Sequence, residues 1–227
     1  MLLCDVMDVE VWSDIACPWC YVGKRRLEAA LAKFEPLDAV NVRWRSFELD
    51  PNAPAQREVD YATHLATKYG TSLDEAHAMQ QRMDGVAAGE GLEMHSELTR
   101  GGNTFDAHRL LHLARAHDVQ DAVKERFMRA YHVEGEPIGS PETLERLAVE
   151  AGLDAGDVRE VLAGDRYAEE VRDDERTAAA LGIQGVPFFV VDRGFGASGA
   201  QSPEILGELL RHAFEAQTAS SAGATTS

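Results

Sequence analysis

Apolar and polar positions alternate through Val9-Glu10-Val11-Trp12 in the manner of a strand. From Tyr21 to Phe34 the period changes. Leu27, Ala30, Leu31 and Phe34 recur at spacings of three, four and seven, which puts them on one face of a helix. Alternation returns between Val40 and Leu49, carried by Val42, Trp44 and Ser46, with Phe47 near its end. Strand, helix and strand within the first 50 residues predict a βαβ unit.

The pattern is then helical for more than a hundred residues. Ser72-Leu73-Asp74-Glu75 is a capping box, followed by Ala76, Met79 and Met83 on one face. Asn103 can cap a helix bearing Ala107, Leu110, Leu111 and Ala114, and Asp121 can start another bearing Val123, Phe127 and Tyr131. Ser140-Pro141 is an N-cap with proline at the first helical position, and Gly152 stops that helix. Asp154 opens a short helix that ends near Gly164, and Tyr167, Val171, Ala178 and Leu181 mark one more, closed by Gly182. Strand signals return at Pro187 to Asp192. Arg193-Gly194 turns the chain into Phe195 to Ser198, and a last helix starts at Ser202-Pro203. The Thr-, Ser-, Ala- and Gly-rich tail from Gln217 is expected to be disordered.

This order predicts an α/β protein whose sheet-forming domain is discontinuous, built from residues 1–50 and 165–216 around a helical insertion at 51–164, with a tail at 217–227. The length of 227 residues and a hydrophobic content of 44% are sufficient for a real core. The net charge of −17 argues against nucleic acid and anionic membrane surfaces as partners, since both require positive potential. Met1 to Asp8 has no basic leader, and its short apolar stretch is broken by two aspartates. No run approaches the ~20 apolar residues of a membrane span. The expectation is a soluble, cytoplasmic protein.

Three cysteines stand at 4, 17 and 20, and the last two form Cys17-Pro18-Trp19-Cys20 between the first strand and the first helix. A thiol at a helix cap faces the positive end of the dipole and free backbone N–H groups, an environment that favours a thiolate. Pro18 at the first helical position costs no hydrogen bond. Cys20 lies about one turn on, within reach of Cys17. In such a pair Cys17 attacks a disulfide and Cys20 resolves the mixed disulfide, or the reverse sequence donates a disulfide. Two other uses compete. Cys17 and Cys20 with His108 and His112, which have i,i+4 spacing, would supply four zinc ligands, but a strand–Cys-x-x-Cys–helix setting favours redox chemistry. An inert disulfide is disfavoured in a reducing compartment. Asp14 can tune the thiol pair or bond the backbone of its turn, the commoner use of a turn aspartate. Cys4, ahead of the first strand, reads as a spare thiol. Gly185-Val186-Pro187-Phe188 puts proline at the start of a strand, where it is tolerated. Local sequence alone favours a trans bond there, since about 5–6% of X–Pro bonds are cis.

Four segments together resemble the DsbA-like branch of the thioredoxin superfamily, and within it the FrnE-type subfamily. They are residues 13–23 around the dithiol, 103–110, 182–190, and Ser198-Gly199-Ala200-Gln201, in family order. The resemblance implies a thioredoxin fold with a large all-helical insertion covering the active site. It implies Cys17 as nucleophile, Cys20 as resolving thiol, Pro187 as a cis proline beside them, and Val186 offering its backbone to substrate. It also implies that Pro18 and Trp19 border the substrate, and that Phe105 and His108 face the dithiol from the insertion. Trp19 stands where the periplasmic members carry histidine, so a less oxidising centre is expected. The second Cys-x-x-Cys of some FrnE-type proteins has no counterpart here, and no relay between two dithiols is expected.

The function implied is protein disulfide oxidoreductase, with a substrate protein or small thiol as partner, no nucleic acid, no membrane, and a monomeric or homodimeric state. No bound cofactor or metal is expected, with glutathione a candidate co-substrate. A glutathione-dependent isomerase or transferase of the 2-hydroxychromene-2-carboxylate isomerase and kappa type shares the fold. Such proteins usually have serine in place of Cys17 and lack the resolving cysteine, so the intact pair favours redox chemistry. A chaperone-like binding protein with an apolar surface from Met79, Met83 and Met94 is a third reading, although methionines at helical spacing more often belong to the core.

Overall fold

A computed structural model describes residues 6–224. Its centre is a four-stranded mixed sheet in the order β2-β1-β3-β4, formed by β1 (Met7–Ser13), β2 (Val40–Ser46), β3 (Phe188–Val191) and β4 (Phe195–Ser198). β1 runs parallel to β2 with Val9 opposite Val42 and Val11 opposite Trp44, and antiparallel to β3 with Val11 opposite Phe189. The parallel pair needs a crossover, supplied by helix α1 (Pro18–Leu31), so the βαβ unit of the sequence is present.

The period-2 alternation of β1 sorts its side chains between two cores. Met7, Val9 and Val11 pack with Leu27, Ala30 and Phe34 of the α1 segment and with Leu206, Leu210 and Ala213 of α9 (Pro203–Ala224). Trp12 faces the other way, against Ala178 of α8 (Ala168–Ala180), Ile183 and Val190. Its indole Nε1 donates to the Asp174 carbonyl at 2.9 Å. The Asp174 side chain accepts from Arg45 at 2.7 Å and from the Ser46 N–H at 2.8 Å, and its other neighbour is His112 Nε2 at 3.2 Å. One buried carboxylate thus ties α8 and the helix bearing His112 to β2.

Between β2 and β3 the chain is helical: α2 (Tyr61–Tyr69), α3 (Leu73–Gly89), α4 (Phe105–Ala116), α5 (Gln120–His132), α6 (Pro141–Glu150), α7 (Ala155–Ala163) and α8. The caps expected at Ser72, Ser140 and Asp154 all form, the first as a reciprocal capping box with Glu75. Asn103 accepts from the Phe105 N–H at 2.8 Å, one residue outside the assigned cap. The helical layer shares one continuous core with the dithiol segment: Ile15, Cys17, Cys20 and Val22 lie with Leu110, Val123, Phe127 and Leu144. The last helix runs to Ala224, through most of the segment expected to be disordered. Its many alanines favour helix once α9 is nucleated on the sheet. Residues 225–227 and Cys4 lie outside the described residues. Among the described residues no helix is long and apolar enough to cross a membrane.

Candidate active site

The dithiol sits where β1 ends and α1 begins. Cys17 is the N-cap of α1 in extended conformation, Pro18 is its first helical residue, and the Cys20 and Tyr21 N–H groups bond the Cys17 carbonyl at 3.0 and 3.4 Å. The two sulfurs interact with each other but differ in access. Cys17 is 5% exposed and borders a cavity of about 520 Å³, whereas Cys20 is 0% exposed behind it. Burial first, and then the neighbouring Cys17 sulfur, push the Cys20 thiol well above the ordinary cysteine range. Lys124 pulls it the other way.

Val186 and Pro187 arrive from the opposite end of the sequence. The Val186–Pro187 bond is cis, and the Cys17 Sγ lies 3.7 Å from the Val186 carbonyl oxygen, within range of a thiol hydrogen bond. The Pro187 carbonyl accepts from the Gly199 N–H at 2.8 Å, which holds this corner against the start of the 199–201 segment. Gly23 makes the approach possible. A Cβ on Gly23 would stand 2.9 Å from Pro187 Cγ and 3.4 Å from Phe189 Cζ, so any side chain there would drive α1 and Pro187 apart.

Three side chains hold the loop ahead of Cys17. Asp14 is buried and accepts from the Leu49 N–H at 2.8 Å and the Ala16 N–H at 3.3 Å, with His108 Nε2 3.4 Å from its Oδ1. Burial pushes the Asp14 carboxyl up, but His108 and the two N–H groups outweigh it and the net displacement is downward. The local backbone bonds expected of a turn aspartate are therefore present, with His108 added. His132, on α5, contacts the Ile15 carbonyl through Nε2 at 2.9 Å and stacks on Tyr21. Burial lowers its pKa to about 4, so near neutrality it is uncharged and donates Nε2–H to Ile15.

The cavity is walled by Cys17, Pro18 and Trp19 on one side and by Tyr61, His64, Leu65 and Lys68 of α2 opposite. Met79, Arg82 and Met83 of α3 and Tyr131 of α5 close it. Trp19 is 45% exposed at its mouth. Of the residues singled out from sequence, Cys17, Cys20, Pro18, Trp19, Val186 and Pro187 come together here. His108 lies behind Asp14, one layer from the sulfurs, and is not on the cavity wall. Phe105 is not at the site: the first turn of α4 points it toward α8, where the Arg172 guanidinium lies 4.4 Å from its ring. His108 and His112 each face their own carboxylate, and no cluster of three or more metal-ligating side chains occurs among the described residues. The sequence did not single out α2, nor His132 or Lys124. The α2 signal was Asp60, whose carboxylate caps Thr63, with Gly70 in the left-handed region at the other end.

Comparison with known proteins agrees with this architecture. The chain is 48% identical to the probable DsbA oxidoreductase SCO1869 from Streptomyces coelicolor, over 92% of this chain and 90% of that one, with a TM-score of 0.88. It is 26% identical to the uncharacterized protein YwbO of Bacillus subtilis strain 168, covering 81% of this chain and 86% of that protein. The cytosolic disulfide reductase DsbM from Pseudomonas aeruginosa, solved with GSH, shares the fold at 19% identity and a TM-score of 0.58, over 93% and 98% of the two chains. The family model described as DSBA-like thioredoxin domain matches residues 8–211, and the chain belongs to that family.

Proposed function

We propose that the protein is a thiol–disulfide oxidoreductase in which Cys17 is the attacking thiol and Cys20 the resolving one. The observation that carries this reading is the unequal access of the two sulfurs. Only Cys17 borders the cavity, so only Cys17 can meet a substrate disulfide, and sealed Cys20 can reach nothing but Cys17. Reduction of a substrate then proceeds in two balanced steps. The Cys17 thiolate attacks one substrate sulfur, the substrate S–S bond breaks, and the first thiolate leaves. Cys20 attacks Cys17, the mixed S–S bond breaks, and the second thiolate leaves as Cys17–Cys20 forms. Oxidation is the same sequence reversed. The cis Val186–Pro187 corner lies against the Cys17 sulfur, which supports the reading that a substrate chain docks along it. A reducing, cytoplasmic compartment suits a two-cysteine centre that exchanges rather than staples.

Cys17→Ser is expected to abolish turnover of a disulfide substrate while leaving the fold intact. Cys20→Ser is expected to keep the first step and accumulate mixed disulfides at Cys17, whose mass identifies protein or small-thiol partners such as glutathione. Undiminished turnover by Cys17→Ser would refute the reading.

A second reading is favoured by the cavity itself. Its aromatic wall of Tyr61, Tyr69 and Tyr131 beside Cys17 suits a small aromatic substrate of a glutathione-dependent isomerase or transferase. The resolving Cys20 has no task in such a reaction, which is why disulfide exchange ranks first. The chaperone-like reading is weaker, because Met83 and Met94 are buried in the core.

A further inference from the structure

Alternation along β1 sends Asp8, Glu10 and Trp12 to the sheet face opposite Met7, Val9 and Val11, and the register sets Asn41, Arg43 and Arg45 of β2 beside them. Helix α8 covers this face at Trp12. At the other end of β1, away from the dithiol, the face opens into a second cavity of about 450 Å³. Four arginines line it: Arg43 and Arg45 of β2, Arg115 in the last turn of α4, and Arg193 in the turn between β3 and β4. A chain with a net charge of −17 thus gathers cations from three separate parts of its sequence at one place.

Pairing divides the four. Glu10 takes Arg45 and Arg193, and Arg45 also reaches Asp174 at 2.7 Å. The other two carboxylates of the cavity are engaged locally: Asp8 accepts from the Asn41 amide at 2.6 Å, and Asp192 accepts from the Asp8 N–H at 2.8 Å. Among the described residues, the side chains of Arg43 and Arg115 have neither an ion pair nor a hydrogen bond, and the Arg43 Nε is sealed from solvent with its donor unused. Burial first, and then the like charges of Arg45 and Arg115, push the Arg43 pKa down, and Asp174 and Glu10 do not make up the difference. Guanidinium groups stay charged throughout, so two positive charges face this cavity without a counter-charge.

We propose that this cavity is a binding site for a phosphoryl group, free or carried by a small ester, held between Arg43 and Arg115. Two unpaired guanidinium groups call for a dianion, and a phosphoryl group near neutral pH carries about 1.5 to 2 negative charges on oxygens that match the guanidinium fork. The buried Arg43 donor then gains the acceptor that the chain itself does not provide. Asp8 and Asp192 border the same cavity with carboxylate oxygens, which accept from hydroxyl groups, so a hydroxylated phosphate ester meets both kinds of lining. No residue lines both this cavity and the one at Cys17, so the site stands apart from the dithiol chemistry.

Isothermal titration of the full chain at low ionic strength, with inorganic phosphate and separately with ribose 5-phosphate, tests the site. Saturable binding is expected at one equivalent. Arg43→Gln and Arg115→Gln should each weaken it by about 10- to 100-fold, the worth of a hydrogen bond to a charged group. Arg211→Gln removes the same charge from the exposed side of α9, outside the cavity, and should leave the affinity unchanged. Tighter binding of ribose 5-phosphate assigns the site to an ester, and an affinity no better than that of inorganic phosphate assigns it to the free anion. The proposal is overturned if neither probe saturates, or if Arg211→Gln weakens binding as much as the two cavity variants. Should Arg43→Gln not fold, Arg115→Gln decides the matter, and its retention of wild-type affinity would overturn the proposal.

Discussion

His132 gives up nearly all of its solvent contact to reach the Ile15 carbonyl, and in doing so it becomes a group that acid turns against the fold. Its folded pKa is about 4 against an ordinary 6.5, with burial as the leading cause. Between those values the unfolded chain holds a proton at this position and the folded one does not, so stability falls as pH falls through that window and is complete above 6.5. The whole gap corresponds to about 3 kcal/mol at ~1.4 kcal/mol per tenfold. Integrating the same linkage from neutrality to pH 5, about 2 kcal/mol is already lost there. His132→Gln removes the titration while an amide N–H can still reach Ile15. Urea unfolding, followed by tryptophan fluorescence near pH 7.5 and pH 5, should show the wild type losing about 2 kcal/mol more than the variant between the two conditions. Asp14 is present in both proteins, so its own pH dependence cancels in the comparison. Equal losses in the two proteins would refute the idea that His132 is held neutral by the fold.

Gly23→Ala should destabilise by about 1–3 kcal/mol, the usual cost of overpacking, because the new methyl meets Pro187 Cγ at 2.9 Å. The same variant should lower the rate at which Cys17 attacks a disulfide, measured against an unchanged far-ultraviolet dichroism spectrum. Asp174→Ala leaves the Ser46 N–H without its acceptor and Arg45 with Glu10 as its remaining carboxylate, and a loss of about 1–3 kcal/mol in chemical denaturation is expected, the cost of leaving a buried donor unsatisfied. A change under ~0.5 kcal/mol, typical of surface substitutions, would show that Asp174 does not tie α8 to β2.

What could be read from the chain was what local chemistry dictates. Ser72 with Glu75, Ser140 with Pro141, and Asp154 each specify a helix start within four residues, and each does so in the fold. The dithiol and the Gly185-Val186-Pro187 corner were legible as separate motifs. That they meet rests on the Val9–Val191 pairing of β1 with β3, which no local signal encodes. Phe105 went astray because spacing on a helix does not say which neighbour each face receives, and α8 took that one. Helix α2 leaves little trace in the sequence because only Ala62 and Leu65 along it are buried, too few to create a period. Lys124 left a trace that a search for apolar stripes passes over. It stands three and four residues before Phe127 and Met128, on the buried face of α5, where a lysine has no ordinary reason to be.

The Cys17–Val186 contact spans 169 positions of sequence. A ribosome adding about 5–20 residues per second therefore releases the Cys17 thiol roughly 10 to 30 s before the corner that is to cover it has been made. During that interval the growing chain carries both cysteines, and then the helical layer, without the strand that completes the sheet. A chain halted anywhere before residue 186 has the Cys17 thiol but not the proline corner that borders it. The surroundings of the Cys17 sulfur are thus completed only once the segment bearing Val186 and Pro187 has been made and β3 has joined β1.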